Sequence, residues 1–309
     1  MDNLLLTGSF TVSFLLISLS QYFFLIRKRF DDFNHRSSHK TIATRTGGIG
    51  IFSALFVVSV FHYVLKIELF DYSLLLPLGI LFLLGVYDDL YHADFRLKFL
   101  MQIIIAKMFI DQGFVINSFH GFIGINELPW ILAQIFTVFV FVMAVNAYNF
   151  IDGIDGLAIT ETLKNLLFFI WVLPSKESLN SLALILVCIL LPLYYFNFKK
   201  REKVFLGDAG SLFLGGINVL FILHLLNPDT ILTSWDSKNR LLICGALLFY
   251  PLLDLIRVVL IRLKQNKSPF TADQNHIHHW LLNSGFSHFQ ATLILSFSGI
   301  FILSLILWL

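Results

Sequence analysis

Ten apolar runs, most of them near the roughly 20 residues needed to cross a bilayer, dictate what this 309-residue chain can fold into. They lie at about 4–26, 47–66, 72–87, 97–116, 129–148, 157–173, 179–197, 211–227, 240–260 and 289–309. Lipid offers no partner to an open backbone amide, so such runs must be helices. No stretch between them is long enough for a soluble domain. The chain therefore reads as one all-α, polytopic membrane domain over 1–309. Composition agrees: 57% of residues are hydrophobic and 14% charged, too little polar surface for a soluble fold of this length. Cys188 and Cys244 sit inside apolar runs without metal-ligand spacing and read as small core residues. The first run lacks the basic start of a signal peptide and is followed by Arg27-Lys28-Arg29, so it reads as a retained helix.

The loops divide by charge. Arg27, Lys28, Arg29, Arg36, Lys40, Arg45, then Arg96 and Lys98, then Lys199, Lys200, Arg201 and Lys203, then Arg257, Arg262, Lys264 and Lys267 fall on one side. The other side holds only Lys66, Lys176, Lys238 and Arg240. Basic loops stay in the cytoplasm, which places both termini outside. The net charge of +2 gives no sign of a nucleic-acid partner.

Three acidic motifs stand where apolar runs end, all on the cytoplasmic side of this topology: Asp88-Asp89, Asn146 to Gly156, and Gly207-Asp208-Ala209-Gly210-Ser211. Adjacent carboxylates near lipid need a cation or basic partner, although a solvated helix end also accommodates them. Asn146, Asn149 and Asp152 are spaced three apart, as are Asp152 and Asp155, in a segment without a basic residue. In the third motif Asp208 or Ser211 would cap the next helix, whose N-terminus would also favour a phosphate. His276-Ile277-His278-His279 follows Ser268-Pro269-Phe270-Thr271-Ala272-Asp273. A zinc reading lacks cysteine partners, so phosphate or nucleotide contacts are preferred. His35, His39, His62, His92, His120, His224 and His288 stand alone, and most read as incidental. Ser37-Ser38-His39-Lys40, leading to Arg45-Thr46-Gly47-Gly48, makes a basic, glycine-containing anion site.

In order and spacing these motifs resemble the polyprenyl-phosphate N-acetylhexosamine-1-phosphate transferase superfamily of bacterial membranes, of glycosyltransferase family 4 type. The resemblance spans nearly the whole chain: Arg45 to Gly48, Asp88-Asp89, Asn146 to Leu157, Gly207 to Ser211, and His276 to His279. The His-loop form is similar to that of the branch starting O-antigen, common-antigen or wall-polymer synthesis. Thr44 departs from a usual Pro, and Asn197 to Lys203 replaces a usual Asn-x-x-Pro-Ala pattern.

The resemblance implies transfer of N-acetylhexosamine 1-phosphate from a UDP-sugar to undecaprenyl (polyprenyl) phosphate, with release of UMP, at the inner membrane. It implies Mg²⁺, with Mn²⁺ as a substitute, held by Asp208 and Asn149. Asp88 and Asp89 would orient or deprotonate the lipid phosphate or assist the metal, while Asp152 and Asp155 would shape the catalytic site. Phe205 would stack on uracil. Arg45, Lys98, Asn146, His276, His278 and His279 would bind substrate, and a homodimer is compatible with this. The runner-up readings are a phospho-MurNAc-pentapeptide transferase and, in another class, a secondary transporter. A transporter would place its charges near the bilayer midplane, often between repeats, and no repeat is visible. The topology predicts that alkaline phosphatase fused to the C-terminus is active; activity there of a reporter that works only in the cytoplasm would overturn the ten-span reading.

Overall fold

The computed structural model describes residues 3–31, 42–232, 239–268 and 275–308. Arg36, Ser37 to Lys40 and Pro269 to Asp273 lie outside that description. The helices are α1 (Asn3–Ile26), α2 (Gly47–Val64), α3 (Leu75–Tyr91), α4 (Phe95–Asp111), α5 (Trp130–Ile151), α6 (Leu157–Val172), α7 (Ser178–Asn197), α8 (Gly207–Leu226), α9 (Arg240–Leu247), α10 (Phe249–Lys264), α11 (Ile277–Asn283) and α12 (His288–Trp308). Every apolar run contains helix, although the fourth is helical only as far as Asp111. Among the described residues seven helices are long and apolar enough to cross a membrane, α1, α2, α3 with its leading turn, α5, α7, α8 and α12, or eight if the bent pair α9–α10 counts as one span. Leu15, Phe61, Ile131, Ile135 and Phe301 remain exposed on these helices, as lipid-facing side chains would. At 17 and 16 residues, α4 and α6 are shorter.

The ninth run is not the straight span expected. It breaks between Leu247 and Phe249, and the pair α9–α10 bends by 68°. Pro251 explains the position. It has no N–H for the Leu247 carbonyl, whereas the bonds on either side, Leu248 N–H to Cys244 O and Leu252 N–H to Leu248 O, are made. Pro251 thereby falls in the first turn of a new helix, where a missing donor costs nothing.

Two compact units divide the described residues. The first takes in 1–93, 162–214 and 231–234; the second takes in 94–161, 215–230 and 235–309. In the first, α1 packs along α2 and α7, and α2 on α3. This unit holds the one pair of strands among the described residues, the parallel β1 (Ala43–Thr44) and β2 (Lys203–Val204). The zip continues beyond the strands. Phe205 N–H bonds Thr44 O, then Gly47 N–H bonds Phe205 O and Gly48 N–H bonds Leu206 O, both at 2.9 Å.

That zip lays the start of α2 on the start of α8. A Cβ at Gly48 would collide with the backbone of Gly210 and Ala209, and one at Gly85 with Asp208 O and the Ala209 Cα. The three helices therefore meet backbone to backbone. Deeper in the same unit, Phe52 stacks on Phe82 at 4.2 Å and meets Phe213 edge-on at 5.6 Å. In the second unit α5 packs against α4 and α10, and α12 packs against α9, α10 and α11.

Gly85→Val forces backbone apart rather than a flexible side chain, so a loss above the usual overpacking cost of about 1–3 kcal/mol is expected, read as a large fall in folded yield and melting temperature. Gly8→Ala, where nothing lies within 4 Å of the added carbon, is the neutral control; equal melting temperatures for the two variants would contradict the close contact.

Candidate active site

In the first unit two of the three acidic motifs, Asp88-Asp89 and Gly207 to Ser211, meet at the α3–α8 contact. Asp88 is buried and its Oδ1 accepts the Ala93 N–H at 2.9 Å, tying down the turn that ends α3. Asp89 reaches across to α8. Its Oδ1 accepts the N–H of Asp208 at 3.1 Å and its Oδ2 that of Ala209 at 2.9 Å. These amides have no acceptor within α8 itself, so the carboxylate supplies both bonds and a charge matched to the helix N-terminus. The cap expected from Asp208 or Ser211 thus comes from α3, and the anion at this terminus is Asp89. Gly207 precedes these amides with φ +72°, and a Cβ there would stand 2.8 Å from Asp89 Oδ2.

Arg45 balances part of this charge. Its Nε donates to Asp31 Oδ1 at 2.7 Å, and Nη1 lies 3.5 Å from Asp89 Oδ1. Burial works against the guanidinium charge, but Asp31, Asp89 and Asp208 outweigh it and raise the Arg45 pKa above its ordinary value. Asp208 is half-buried in the first turn of α8. A groove of about 640 Å³ opens beside Arg45 and Asp89, walled by Arg29, His92, Phe30 and Tyr91. Phe205, half-buried, belongs to the backbone zip.

The second unit carries the other motifs. The Asn146 amide donates to Gln102 Oε1 and to Val142 O, both at 2.7 Å, which locks α5 to α4. Lys98 is half-buried in the first turn of α4. Asn149 is half-buried near the end of α5, and Asp152 closes that helix. Asp155 is buried and held by α12: its N–H donates to His288 Nδ1 at 3.2 Å and its carbonyl accepts from Thr292 Oγ1 at 2.9 Å. His288 is therefore not incidental.

The His loop is equally fixed. His276 Nδ1 lies 2.7 Å from Asp254 Oδ2, and Ile277 N–H donates to Asp254 Oδ1 at 2.9 Å. His278 is fully buried, with Nδ1 3.4 Å from the Tyr250 hydroxyl. Its Nε2 fills the space above Gly153, where any Cβ would strike it. His279 packs its ring 4.3 Å from that of His278 and is half-buried. Burial, then His279, His276 and His288, hold the His278 pKa well below the usual value, so this ring is neutral.

Asp254, His276 and His278 offer ligand atoms within 4.8 Å of one another and form a candidate metal triad. Asp254, on α10, is an acid that sequence reasoning did not join to the His loop. The 2.7 Å Asp254–His276 contact is nevertheless a hydrogen bond. Ligands sharing a tetrahedral zinc stand about 3.3 Å apart, so a metal here would have to break that bond. Asp89 and Asp208 both act on the Arg45 guanidinium, and carboxylate oxygens of this kind are the donors that Mg²⁺ prefers.

Residues 71–226, from the turn before α3 to the end of α8, match the model of glycosyl transferase family 4. That stretch contains Asp88, Asp89, the Asn146–Gly156 motif and Asp208, and the chain belongs to this family: it is a helical membrane transferase. Among similar proteins is one from Bacillus subtilis (strain 168) named probable undecaprenyl-phosphate N-acetylglucosaminyl 1-phosphate transferase. It is 32% identical over 292 residues, covering 90% of this chain and 78% of the relative. The undecaprenyl-phosphate alpha-N-acetylglucosaminyl 1-phosphate transferases of Salmonella typhi and Escherichia coli (strain K12) are 27% and 26% identical. They cover 86% and 88% of this chain, and 72% and 74% of the relatives.

A neutral, buried His278 makes stability depend on pH. The unfolded chain takes up this proton below about pH 6.5 and the folded chain does not, so stability is lost as pH falls through that value. The melting temperature should drop more steeply between about pH 7 and pH 5.5 in the parent protein than in His278→Gln; identical slopes would show that His278 is charged in the fold.

Proposed function

We propose that this enzyme transfers N-acetylhexosamine 1-phosphate from a UDP-sugar to undecaprenyl phosphate and releases UMP. The reaction would run at the cytoplasmic face of the bacterial inner membrane, with both termini periplasmic, as an initiating step of envelope polysaccharide synthesis. The observation that carries this reading is the Asp89 bridge from α3 to the start of α8, which brings Asp89 and Asp208 together within the family-matched stretch. N-Acetylglucosamine, the sugar in the relatives' names, is the first donor to test. These similarities, over most of this chain, favour this branch over a phospho-MurNAc-pentapeptide transferase.

In this reaction an oxygen of the lipid phosphate bonds to the phosphorus that carries the sugar, and the bond from that phosphorus to the UMP oxygen breaks. Both partners are anions. The lipid phosphate, with a second pKa near 6, is largely dianionic at neutral pH and needs little help from a base. The main tasks are positioning and charge compensation. Mg²⁺, for which Mn²⁺ substitutes, would neutralise the diphosphate and improve UMP as a leaving group. Asp208 is the ligand proposed for it in the first unit, on a helix start that Asp89 holds in place. Asp88 stands close by in sequence to orient the acceptor. Arg45 counters phosphate charge, and the groove beside it joins cationic and aromatic walls, as suits a phosphate on an apolar chain. The roles proposed for Asn149 as ligand, for Asp152 and Asp155 in catalysis, for Phe205 on uracil, and for Lys98, Asn146, His276, His278 and His279 in substrate binding rest on the motifs.

Membranes given labelled UDP-N-acetylglucosamine and undecaprenyl phosphate should form labelled lipid, lose that activity in EDTA and regain it with Mg²⁺ or Mn²⁺. Asp208→Asn should cost about 3–4 kcal/mol of transition-state stabilisation, or roughly 10²- to 10³-fold in rate. Near-normal turnover of that variant in folded protein removes Asp208 as ligand, and failure to label lipid from any UDP-N-acetylhexosamine removes the reaction.

A further inference from the structure

One buried acid has no place in the reaction as proposed. Asp254 lies in α10, past the bend from α9, and is fully buried. A buried carboxylate is costly unless it is paired and hydrogen-bonded. Both oxygens of Asp254 are directed at the His loop, one to His276 Nδ1 at 2.7 Å and one to the Ile277 N–H at 2.9 Å. Arg257, three residues on and so on the same face of α10, donates to the Asn275 carbonyl. One face of α10 thus grips Asn275, His276 and Ile277 in succession. Phe150 meets the His276 ring edge-on at 5.6 Å and His278 stacks on it at 5.1 Å, so the ring has little room to turn.

We infer that Asp254 is the positioning residue of His276: it takes the Nδ1 proton in a hydrogen bond and presents Nε2 to the phosphates of the donor. The inference rests on the phosphate-binding role proposed above for the His loop. A carboxylate can only accept, so the shared proton at 2.7 Å belongs to Nδ1. The other nitrogen is then the working one, and its direction is fixed by the pairing, as it is for histidines held by an outer carboxylate in other sites. A ring set between a carboxylate and a phosphate donates from both nitrogens, and Asp254 is the counter-charge that makes this possible inside an apolar helix pair. The second bond, to the Ile277 amide, satisfies one of the open N–H groups at the start of α11 and fixes the loop together with the ring.

A double-mutant cycle on the full-length enzyme tests this, with kcat/KM for UDP-N-acetylglucosamine as the readout. Asp254→Asn keeps the size of the side chain and an acceptor for Ile277, but loses the charge on His276. It should lower kcat/KM about tenfold to hundredfold. His276→Ala should cost a similar factor, and adding Asp254→Asn to it should cost less than about threefold more, because the acid acts through the ring. If Asp254→Asn costs as much without His276 as with it, the positioning role fails while the phosphate-binding role stands. If His276→Ala retains full activity, both fail. Should Asp254→Asn not fold, ¹⁵N-histidine spectra of the parent protein decide, with His276 assigned by its disappearance in His276→Ala. A proton on Nδ1 supports the pairing and a bare Nδ1 overturns it. Stoichiometric zinc in the purified enzyme, bound through Asp254, would also overturn it.

Discussion

Three helices that touch with no side chain between them set the geometry of the first unit. Gly48 on α2, Gly85 on α3 and the Ala209-Gly210 pair on α8 remove the atoms that would otherwise separate the backbones. Only at that separation does the Asp89 carboxylate reach two α8 amides at 3.1 and 2.9 Å. A charged cap of this kind contributes about 1 kcal/mol, less than the cost of prising the helices apart. Packing therefore decides the structure, and the polar contacts follow from it. Asp208, the next acid, inherits its place from that packing.

In the second unit the same order holds with different means. The motif after α5 does not support itself: α12 holds Asp155 through His288 and Thr292, and Gln102 of α4 holds Asn146. The His loop leans on α10 through Asp254 and Arg257. Each residue of the acidic and histidine motifs that takes part in these contacts is backed by a side chain distant in sequence. The supporting residues are single polar groups in apolar helices, where an unmet hydrogen bond is expensive, so the partnerships are specific.

The helices and the motifs were legible because both are written at the scale of a single element: about 20 apolar residues, or acids at a fixed spacing. The broken ninth helix was also written in the chain, since Pro251 interrupts an apolar run, but hydropathy averages over a proline. The β1–β2 pair has two residues on each side, too few to show any alternation. Asp254 had a signal that went unread: a lone acid in Phe249-Tyr250-Pro251-Leu252-Leu253-Asp254-Leu255-Ile256 is a functional candidate by its location alone. His288 had none, because its partner Asp155 lies 133 residues away. The same limit hid the Asp89 cap, whose amides lie 119 and 120 residues further on.

The Arg45 cluster is mixed in sign. Asp31, Asp89 and Asp208 all act on this one guanidinium, and Arg29 adds a second cation at the wall of the adjoining groove. The α8 N-terminus already faces Asp89. A locale that sets acids beside cations in this way suits an anion arriving with its own counter-ion better than either ion alone.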